Sequence, residues 1–422
     1  MQKKSLDTIA LEMKVDRVIL HCDMNSFFCS VELLEHPELA DKPVAVAGSA
    51  DDRHGIILAK NQLAKSFGVA TPEPIYQAKK KCPGLILLEP HHEKYTHYCH
   101  LINDIYLRYT DMVEPFSVDE SWLDVTGSLK LFGKNGKELA DEIRTTVYKE
   151  LGLTLSAGVS YNKVFAKMGS DYKKPYATTE ITRENFKELL WPLPAGDMFF
   201  VGRSTARRLA EMNIHTIGDI ANADPRILEM NFGLMGQQMI DNANGLDDDP
   251  VAHWGDYAEA KSVGNGITFR RNLKGEADIR TAVTAISNRV AQRLRKHGYK
   301  CQGVKVEIKD TDFISISRQR KLGEPTDISE RIIDAVMELI ADNWYFDNPI
   351  RLITITAINI LEKGEEYSTQ LSIFDSKDKE EQDAKAKQLE DTLDQIRNKH
   401  GYSAVTAASL IDNDLGINIE EW

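Results

Sequence analysis

Three acids stand where they could hold metal ions. Asp23 lies in His21-Cys22-Asp23-Met24-Asn25-Ser26-Phe27-Phe28, directly after the apolar run Val18-Ile19-Leu20. Asp119 and Glu120 lie in Ser117-Val118-Asp119-Glu120-Ser121-Trp122-Leu123-Asp124. Each motif sets carboxylates at the end of an expected β-strand or in a tight turn beside it. Together they offer hard oxygen ligands of the kind Mg2+ takes alongside substrate phosphates. Two such ions about 3.5–4 Å apart clamp the attacking and leaving oxygens of a phosphoryl transfer. From spacing alone, turn acids and helix caps account for the same residues equally well.

The elements that must position these acids can be read from pattern. Residues 18–22 read as a buried strand, and a helix starts at Phe27. A second short apolar run covers 44–47. Residues 61–67 read as a helix stopped by Gly68, and 75–81 as another, bounded by Pro72, Pro74 and Pro83-Gly84. Helical periodicity covers 95–109. Strands are expected at 121–125 and 153–159, with a helix at 136–151 between them. Without the helical insertion this is the βαββαβ ferredoxin-like order, which puts the two acidic motifs on adjacent strands. Further on, 180–244 reads as a small helical unit and 245–254 as a linker. Residues 280–296 form an amphipathic helix, 304–308 and 313–317 alternate as half-buried strands do, 352–361 is another strand, and 378–400 a terminal helix.

Composition narrows the class. The chain has 422 residues, 42% hydrophobic and 28% charged, enough for two to four domains. No stretch of about 20 apolar residues suggests a membrane span. The N-terminus lacks the apolar core of a signal peptide, and the five cysteines show no paired spacing. A cytoplasmic, reduced protein is expected. The net charge of −13 argues against nucleic acid, whose binding is driven by cationic contacts. Yet fourteen Lys and Arg against six acids between Ser262 and Pro325 leave a local excess of eight positive charges. Local patches outweigh the sum, because the Debye length is about 8 Å in physiological salt.

Five ordered matches together resemble the Y-family (translesion) DNA polymerases of the bacterial UmuC/DinB type, over about residues 18–374. They are the two acidic motifs, Asn61-Gln62-Leu63-Ala64-Lys65-Ser66-Phe67-Gly68, the run from Gly158 to Lys167 followed by Lys174-Pro175, and Val201-Gly202-Arg203-Ser204. The resemblance implies an α+β multidomain right hand with a ferredoxin-like palm, small fingers, a helical thumb with a helix-hairpin-helix, and an α/β little finger. The implied boundaries are an N-terminal extension at 1–16, palm at 17–26 and 91–180, fingers at 27–90, thumb at 181–247, linker at 248–262, little finger at 263–363, and a C-terminal tail at 364–422. The implied reaction is template-directed addition of dNTPs to a primer 3′ end in DNA damage tolerance and the SOS response. Two Mg2+ ions, with Mn2+ as a substitute, would serve as cofactors. Primer-template DNA, dNTP and the bacterial sliding clamp would be partners of a monomer, with accessory subunits allowed.

The same resemblance distributes roles. Asp23, Asp119, Glu120 and the Met24 carbonyl would hold the metals. Phe28 would be the steric gate against a 2′-hydroxyl, with Phe27 beside it in the nucleotide site or simply in the core. Lys65 and Lys174 would bind the triphosphate as point charges. This chain departs from the family at Gln62 and Lys65, where Tyr and Arg are common, and at Asn25, where another acid is frequent. Gly202, Arg203 and Ser204 would bind DNA phosphate through backbone N–H groups, Ser204 replacing a second glycine. Arg318, Arg320 and Lys321 would face DNA. Gln370, Leu371, Ile373 and Phe374, within 370–375, would dock on the clamp through apolar anchors. Lys163 and Lys167, four apart on one helix face, carry no assigned role. The crowded His91, His92, His97, Cys99 and His100 miss the zinc-protease spacing and read as helix surface. The competing reading is a non-catalytic clamp- and DNA-binding scaffold; a nucleotidyl cyclase would leave the basic stretch and the hairpin without purpose.

Overall fold

A computed structural model describes residues 16–48, 55–256, 260–362, 377–411 and 413–417. The expected clamp peptide at 370–375 and residues 1–15 of the N-terminal extension lie outside the described residues. The chain divides into two compact units, the second beginning near Ala258.

In the first unit the order is β1 (Ile19–Met24), α1 (Phe27–Glu35), β2 (Val44–Ala47), β3 (Ile57–Lys60), α2 (Gln62–Ser66), α3 (Ile75–Lys81), β4 (Ile86–Leu88) and α4 (His92–Tyr106). There follow β5 (Val113–Pro115), β6 (Glu120–Asp124), α5 (Leu129–Phe132), α6 (Gly136–Leu151), β7 (Leu155–Ser160), α7 (Lys163–Tyr172) and β8 (Thr178–Glu180). Five helices complete it: α8 (Phe186–Leu190), α9 (Arg203–Glu211), α10 (Ile217–Ala221), α11 (Pro225–Phe232) and α12 (Leu234–Ala243).

The main sheet has the order β5-β6-β1-β7-β8. Read as β7-β1-β6-β5, it is the ferredoxin-like arrangement expected from sequence. All six residues of β1 are buried, as an apolar run covered on both faces must be. Strand alternation sends Leu20, Cys22 and Met24 toward α4 and α6, in one core with Tyr95, Ile102, Leu139 and Ile143. Ile19, His21 and Asp23 point to the opposite face, where α7 lies; Ile19 packs with Trp122 and Ala166. Helix α6 starts at a capping box between Asn135 and Glu138 and stops at Gly152 in the left-handed region, which is why its limits were legible.

Helix α7 sits hard against β7. A Cβ on Gly158 would fall 1.8 Å from the Ala166 carbonyl oxygen, and one on Gly169 would meet the Gly158 Cα at 3.0 Å. Only glycine allows this approach. A smaller sheet, β3-β2-β4, packs on α2 and α3 around Ala45, Ile57, Ala64 and Ala78. Helices α8–α12 share a separate core around Phe165, Leu190, Leu209 and Leu228.

The segment expected as a free linker is docked at its start. Val251 is buried with Ile19 and Trp122, Ala252 N–H donates to Glu114 at 2.9 Å, and Trp254 N–H donates to the Asp111 carbonyl at 2.9 Å. Lys163, given no role from sequence, holds Glu114 in place at 2.6 Å.

The second unit contains β9 (Ser262–Leu273), α13 (Gly275–His297), β10 (Lys300–Lys309), β11 (Ser315–Thr326), α14 (Ser329–Asn343), β12 (Ile350–Leu361) and α15 (Lys377–His400). Its antiparallel sheet has the order β11-β10-β12-β9. Helices α13 and α14 cover one face, with Ile286, Val290, Val336 and Ile340 against Val304, Val306, Ile353 and Ile355. The acidic C-terminal region is no loose tail where it is described. On α15, Glu390 and Asp394 pair with Arg295 at 3.0 and 2.6 Å, and Glu390 accepts from Ser329 N–H at the start of α14 at 3.0 Å. Leu410, Leu415 and Ile417 enter the core, and Arg270 N–H donates to the Leu415 carbonyl at 2.8 Å. Among the described residues no helix is long and apolar enough to cross a membrane.

Gly158→Ala is expected to force α7 off the sheet. Urea unfolding should show a loss of at least about 2 kcal/mol; an unchanged midpoint would mean the helix approach is not tight.

Candidate active site

Strand pairing brings the acidic motifs together. β1 runs antiparallel to β6, with Asp23 directly opposite Glu120 and His21 opposite Trp122. Residues paired this way share a face with Cβ atoms about 4.5–5.5 Å apart. Beyond the strand end the ladder continues irregularly: Met24 N–H donates to the Asp119 carbonyl at 3.0 Å. That bond ties the turn carrying Asp119 to the end of β1. The Asp119 carboxylate accepts from Ser117 Oγ at 2.7 Å. All three acids line one cleft of about 640 Å3.

Two like charges face to face on neighbouring strands repel. Here an ammonium sits between them. Lys167, buried on α7, reaches Asp23 at 2.9 Å and Glu120 at 3.0 Å, with Asp171 at 3.2 Å. Burial alone would lower its pKa, but Asp23, Asp171 and Glu120 outweigh that and hold it above the ordinary lysine value. Lys174 joins from the following loop, 2.7 Å from Asp23 and 2.8 Å from Asp171. Lys174 was expected on a triphosphate; it lines the cleft but rests on a carboxylate. Lys167 was missed because its i, i+4 spacing from Lys163 looks like a solvated helix face. The signal that could have found it is its surroundings in Val164-Phe165-Ala166-Lys167-Met168-Gly169, apolar or small on all sides of the helix.

The carboxyl of Asp119 has its pKa raised by burial, with the charges of Asp23 and Glu120 adding to the effect against the Ser117 hydrogen bond. His21 lies under the acids with no exposed surface. Its Nδ1 is 2.8 Å from Ser170 Oγ, whose own hydrogen goes to the Lys167 carbonyl at 2.8 Å. Nε2 faces Glu120 Oε2 at 3.5 Å, and both atoms are buried without a hydrogen-bond partner. Burial first, then the charge of Lys167, pushes the His21 pKa down to about 3, so the ring is neutral.

Among the described residues no three His, Cys, Asp or Glu side chains stand close enough to hold a metal ion as a ready cage. The donor set nonetheless fits a hard divalent cation. It is all oxygen, it faces a polar cleft, and Glu120 Oε2 lacks a partner. The histidines at 91–100 make no such group: His91 Nδ1 meets Glu32 at 3.0 Å and His92 lies edge-on to Phe28.

Phe28 forms the aromatic wall of the cleft. Half-buried, it stacks face to face on Tyr95, with centroids 4.0 Å apart and planes 8° apart. Tyr95 is fixed in turn by its hydroxyl, which donates to the buried Glu32 at 2.5 Å. Phe27 is buried in the core and also lines the cleft. Across the cleft stand Lys65 on α2 and Lys60 at the end of β3. Burial, then the neighbouring charge of Lys65, lowers the pKa of Lys60. Lys60 is a further cleft residue that no motif announced.

The expected nucleic-acid contacts divide. Gly202, Arg203 and Ser204 are exposed at the start of α9, whose first turn has no side-chain cap. Their N–H groups are free to meet phosphate. Arg318 and Arg320 do share a face, but it is the face toward α14. Arg320 is ion-paired with Glu338 and lies 3.0 Å from Asp342, and Arg318 donates to Asn343 at 3.0 Å. Lys321, one residue on, points to the open face of the sheet, as do Lys305 and Lys309 on β10. Alternation fixes which residues share a side, not which side is covered.

Comparison with known proteins agrees with this architecture. Residues 22–171 match the impB/mucB/samB family, and residues 260–373 match that family's C-terminal domain. The DNA polymerase IV of Acetivibrio thermocellus is 42% identical over 402 residues, covering 95% of this chain and 99% of that protein. DNA polymerase IV 1 of Bacillus subtilis is 35% identical over 398 residues, 94% of each chain. A solved Y-family DNA polymerase chimera of Dbh and Dpo4 superposes with a TM-score of 0.73 at 24% identity, over 82% of this chain and all of that one. The fold and the family matches define a DNA-directed DNA polymerase. The chain belongs to the Y-family DNA polymerases, in their bacterial DinB-like branch.

The neutral His21 makes stability depend on pH. Its folded pKa lies below the ordinary 6.5, so below pH 6.5 the unfolded chain takes up a proton that the native one refuses. The stability this provides is complete above pH 6.5 and is lost as pH falls toward about 3, at up to about 1.4 kcal/mol per unit. His21→Gln should flatten that part of the stability–pH curve in denaturant titrations. An unaltered slope would show that His21 titrates freely.

Proposed function

We propose that the cleft between the acidic motifs and the two lysines adds dNTPs to a primer 3′ end by two-metal phosphoryl transfer. As a DinB-like Y-family member the chain is a translesion DNA polymerase; the metal mechanism and the residue roles are our reading. The observation that carries it is the register: Asp23 opposite Glu120, with Asp119 bound to the same strand end. Asp23, Asp119, Glu120 and the Met24 carbonyl would hold two Mg2+ ions, or Mn2+ in their place. When bound, such ions polarise the phosphoryl oxygens and lower the pKa of the attacking hydroxyl.

The chain's own residues supply the rest. Lys65, and Lys60 beside it, face the cleft as point charges suited to a triphosphate. Lys174 can exchange Asp23 for a phosphate oxygen, since it lines the same cleft. Phe28, backed by Tyr95, cannot retreat from a sugar placed on it. A 2′-hydroxyl there would meet an apolar ring with no hydrogen-bond partner. Gly202, Arg203 and Ser204 grip phosphate without reading sequence. In the second unit we assign DNA contact to Lys321 and the open sheet face rather than to Arg318 and Arg320. Gln370, Leu371, Ile373 and Phe374 remain our candidates for the sliding clamp, and we expect a cytoplasmic monomer. We take residues 17–26 with 91–180 as palm, 27–90 as fingers, 181–247 as thumb and 263–363 as little finger.

Asp119→Ala and Glu120→Ala should each lower primer extension at least about a hundredfold while DNA binding survives. Gel-based extension with and without Mg2+, beside a binding assay, tests this. Activity within tenfold of wild type would overturn the metal assignment, and a wild type that extends no primer would favour the scaffold reading.

Phe28→Ala should admit ribonucleotides. The ratio of kcat/KM for dNTP over rNTP should fall by at least about tenfold, as lost steric exclusion of one hydroxyl demands. A ratio that stays put in a folded variant would make Phe28 a core residue only.

A further inference from the structure

Lys167 is the most confined cation of the acidic site. It comes from α7, not from the strands that carry the acids, and its helix is held against the sheet at Gly158 and Gly169. Its ammonium is delivered from that fixed helix, on a side chain only 10% exposed. It contacts three carboxylates, those of Asp23, Glu120 and Asp171. Lys174 bridges two of the same three, Asp23 and Asp171. The result is a closed ring of alternating charge in which Asp171 is the solvent-side member, its side chain 51% exposed.

We propose that Lys167 is the positioning cation of this site: it holds Asp23 and Glu120 side by side and, by competing for the same carboxylate oxygens, sets how tightly the site takes a divalent cation. This rests on the reading that the acids bind such cations. The physics has two parts. A fixed positive charge between facing carboxylates makes their pairing tolerable, so the strand register survives. The same charge repels an incoming dication and already occupies one oxygen of each acid. Asp171 moderates the second effect, because it draws part of the field of both ammonium groups to the solvent side. Lys167 thus trades affinity for a preformed geometry, which suits ions that must arrive with a substrate and leave with its product.

Mn2+ alone, titrated into the full chain and followed by the electron paramagnetic resonance signal of the free ion, is the test. Wild type should bind and Asp119→Ala should not. Equal binding by both would sink the site reading itself, and the Lys167 proposal with it, whatever the lysine variants do. With that control in place, Lys167→Met should bind Mn2+ at least about threefold more tightly, since a repelling charge is gone. Its thermal midpoint without added ion should fall and should rise more than wild type's when Mn2+ is added. Lys167→Arg should return both readings toward wild type. Asp171 is half exposed and Asp171→Asn keeps its shape; the variant should weaken Mn2+ binding about twofold or more, because both ammonium groups lose a counter-charge. Unchanged or weaker binding by Lys167→Met overturns the proposal. Should that variant not fold, unchanged or tighter binding by Asp171→Asn overturns it alone.

Discussion

The pairing of Asp23 with Glu120 across β1 and β6 is the constraint on which the first unit is built. Two carboxylates at cross-strand distance oppose the very ladder that aligns them, and no sheet would keep this register for its own sake. The compensation is a buried ammonium, and a buried ammonium needs a helix close enough to deliver it. That requirement explains features that otherwise look unrelated. Gly158 and Gly169 let α7 approach to contact. Asn162 caps the helix by accepting from Phe165 N–H at 2.7 Å, fixing where its turns fall. His21, sharing the face, stays neutral in its hydrogen bond with Ser170, so that it adds no further charge.

The cleft's two walls differ in kind. The acids stand on the central strands of a five-stranded sheet whose β1 is buried throughout. Lys60 and Lys65 stand on a three-stranded sheet and a helix of one and a half turns, Gln62–Ser66, with a small core of its own. A chemistry that needs exact placement of charge belongs on the first wall, and one that needs only a field of positive charge tolerates the second. Phe28 belongs with the rigid wall, because the chain of Glu32, Tyr95 and Phe28 is anchored at a buried carboxylate. The aromatic ring that would meet the sugar is thus held by the same core that holds the acids.

Much of this was legible in the sequence, and the rest was hidden for definite reasons. β1 showed as an apolar run, α6 as a helical stretch between two strands, and α13 by its periodicity. β9 did not show, because Gly264 and Gly266 break the alternation. They are there because Thr356 and Thr354 on β12 leave no room for a side chain. β11 was placed too early: Phe313 has φ 66° and sits in the hairpin turn, where Asp310 accepts from the N–H groups of Asp312 and Ile314. α14 carries Ile332, Val336, Leu339 and Ile340 at helical spacing, but its start is marked by Glu390 from sixty residues on rather than by a local cap. Lys167 is the instructive miss. Spacing reports a residue's neighbours along its own helix, whereas its role depends on carboxylates that are distant in sequence and adjacent only in the sheet.

The second unit shows how an acidic chain can keep a basic face. Net charge is −13, yet the acids are not spread evenly over the surfaces. Glu338 and Asp342 on α14 take up Arg320, and Glu390 and Asp394 on α15 take up Arg295. These pairs lie on the helix side of the sheet. The open side keeps Lys305, Lys309 and Lys321, with Glu307 as the acid among them, over a floor kept low by Gly264, Gly266 and Gly303. A low floor with raised lysines suits a phosphate backbone laid across the strands, because the cations can reach it while no bulky side chain holds it off. Beyond a Debye length of about 8 Å the acids of the far side weaken little of that attraction. The sign of the whole chain therefore says less about its partner than the division of charge between the two faces of one sheet.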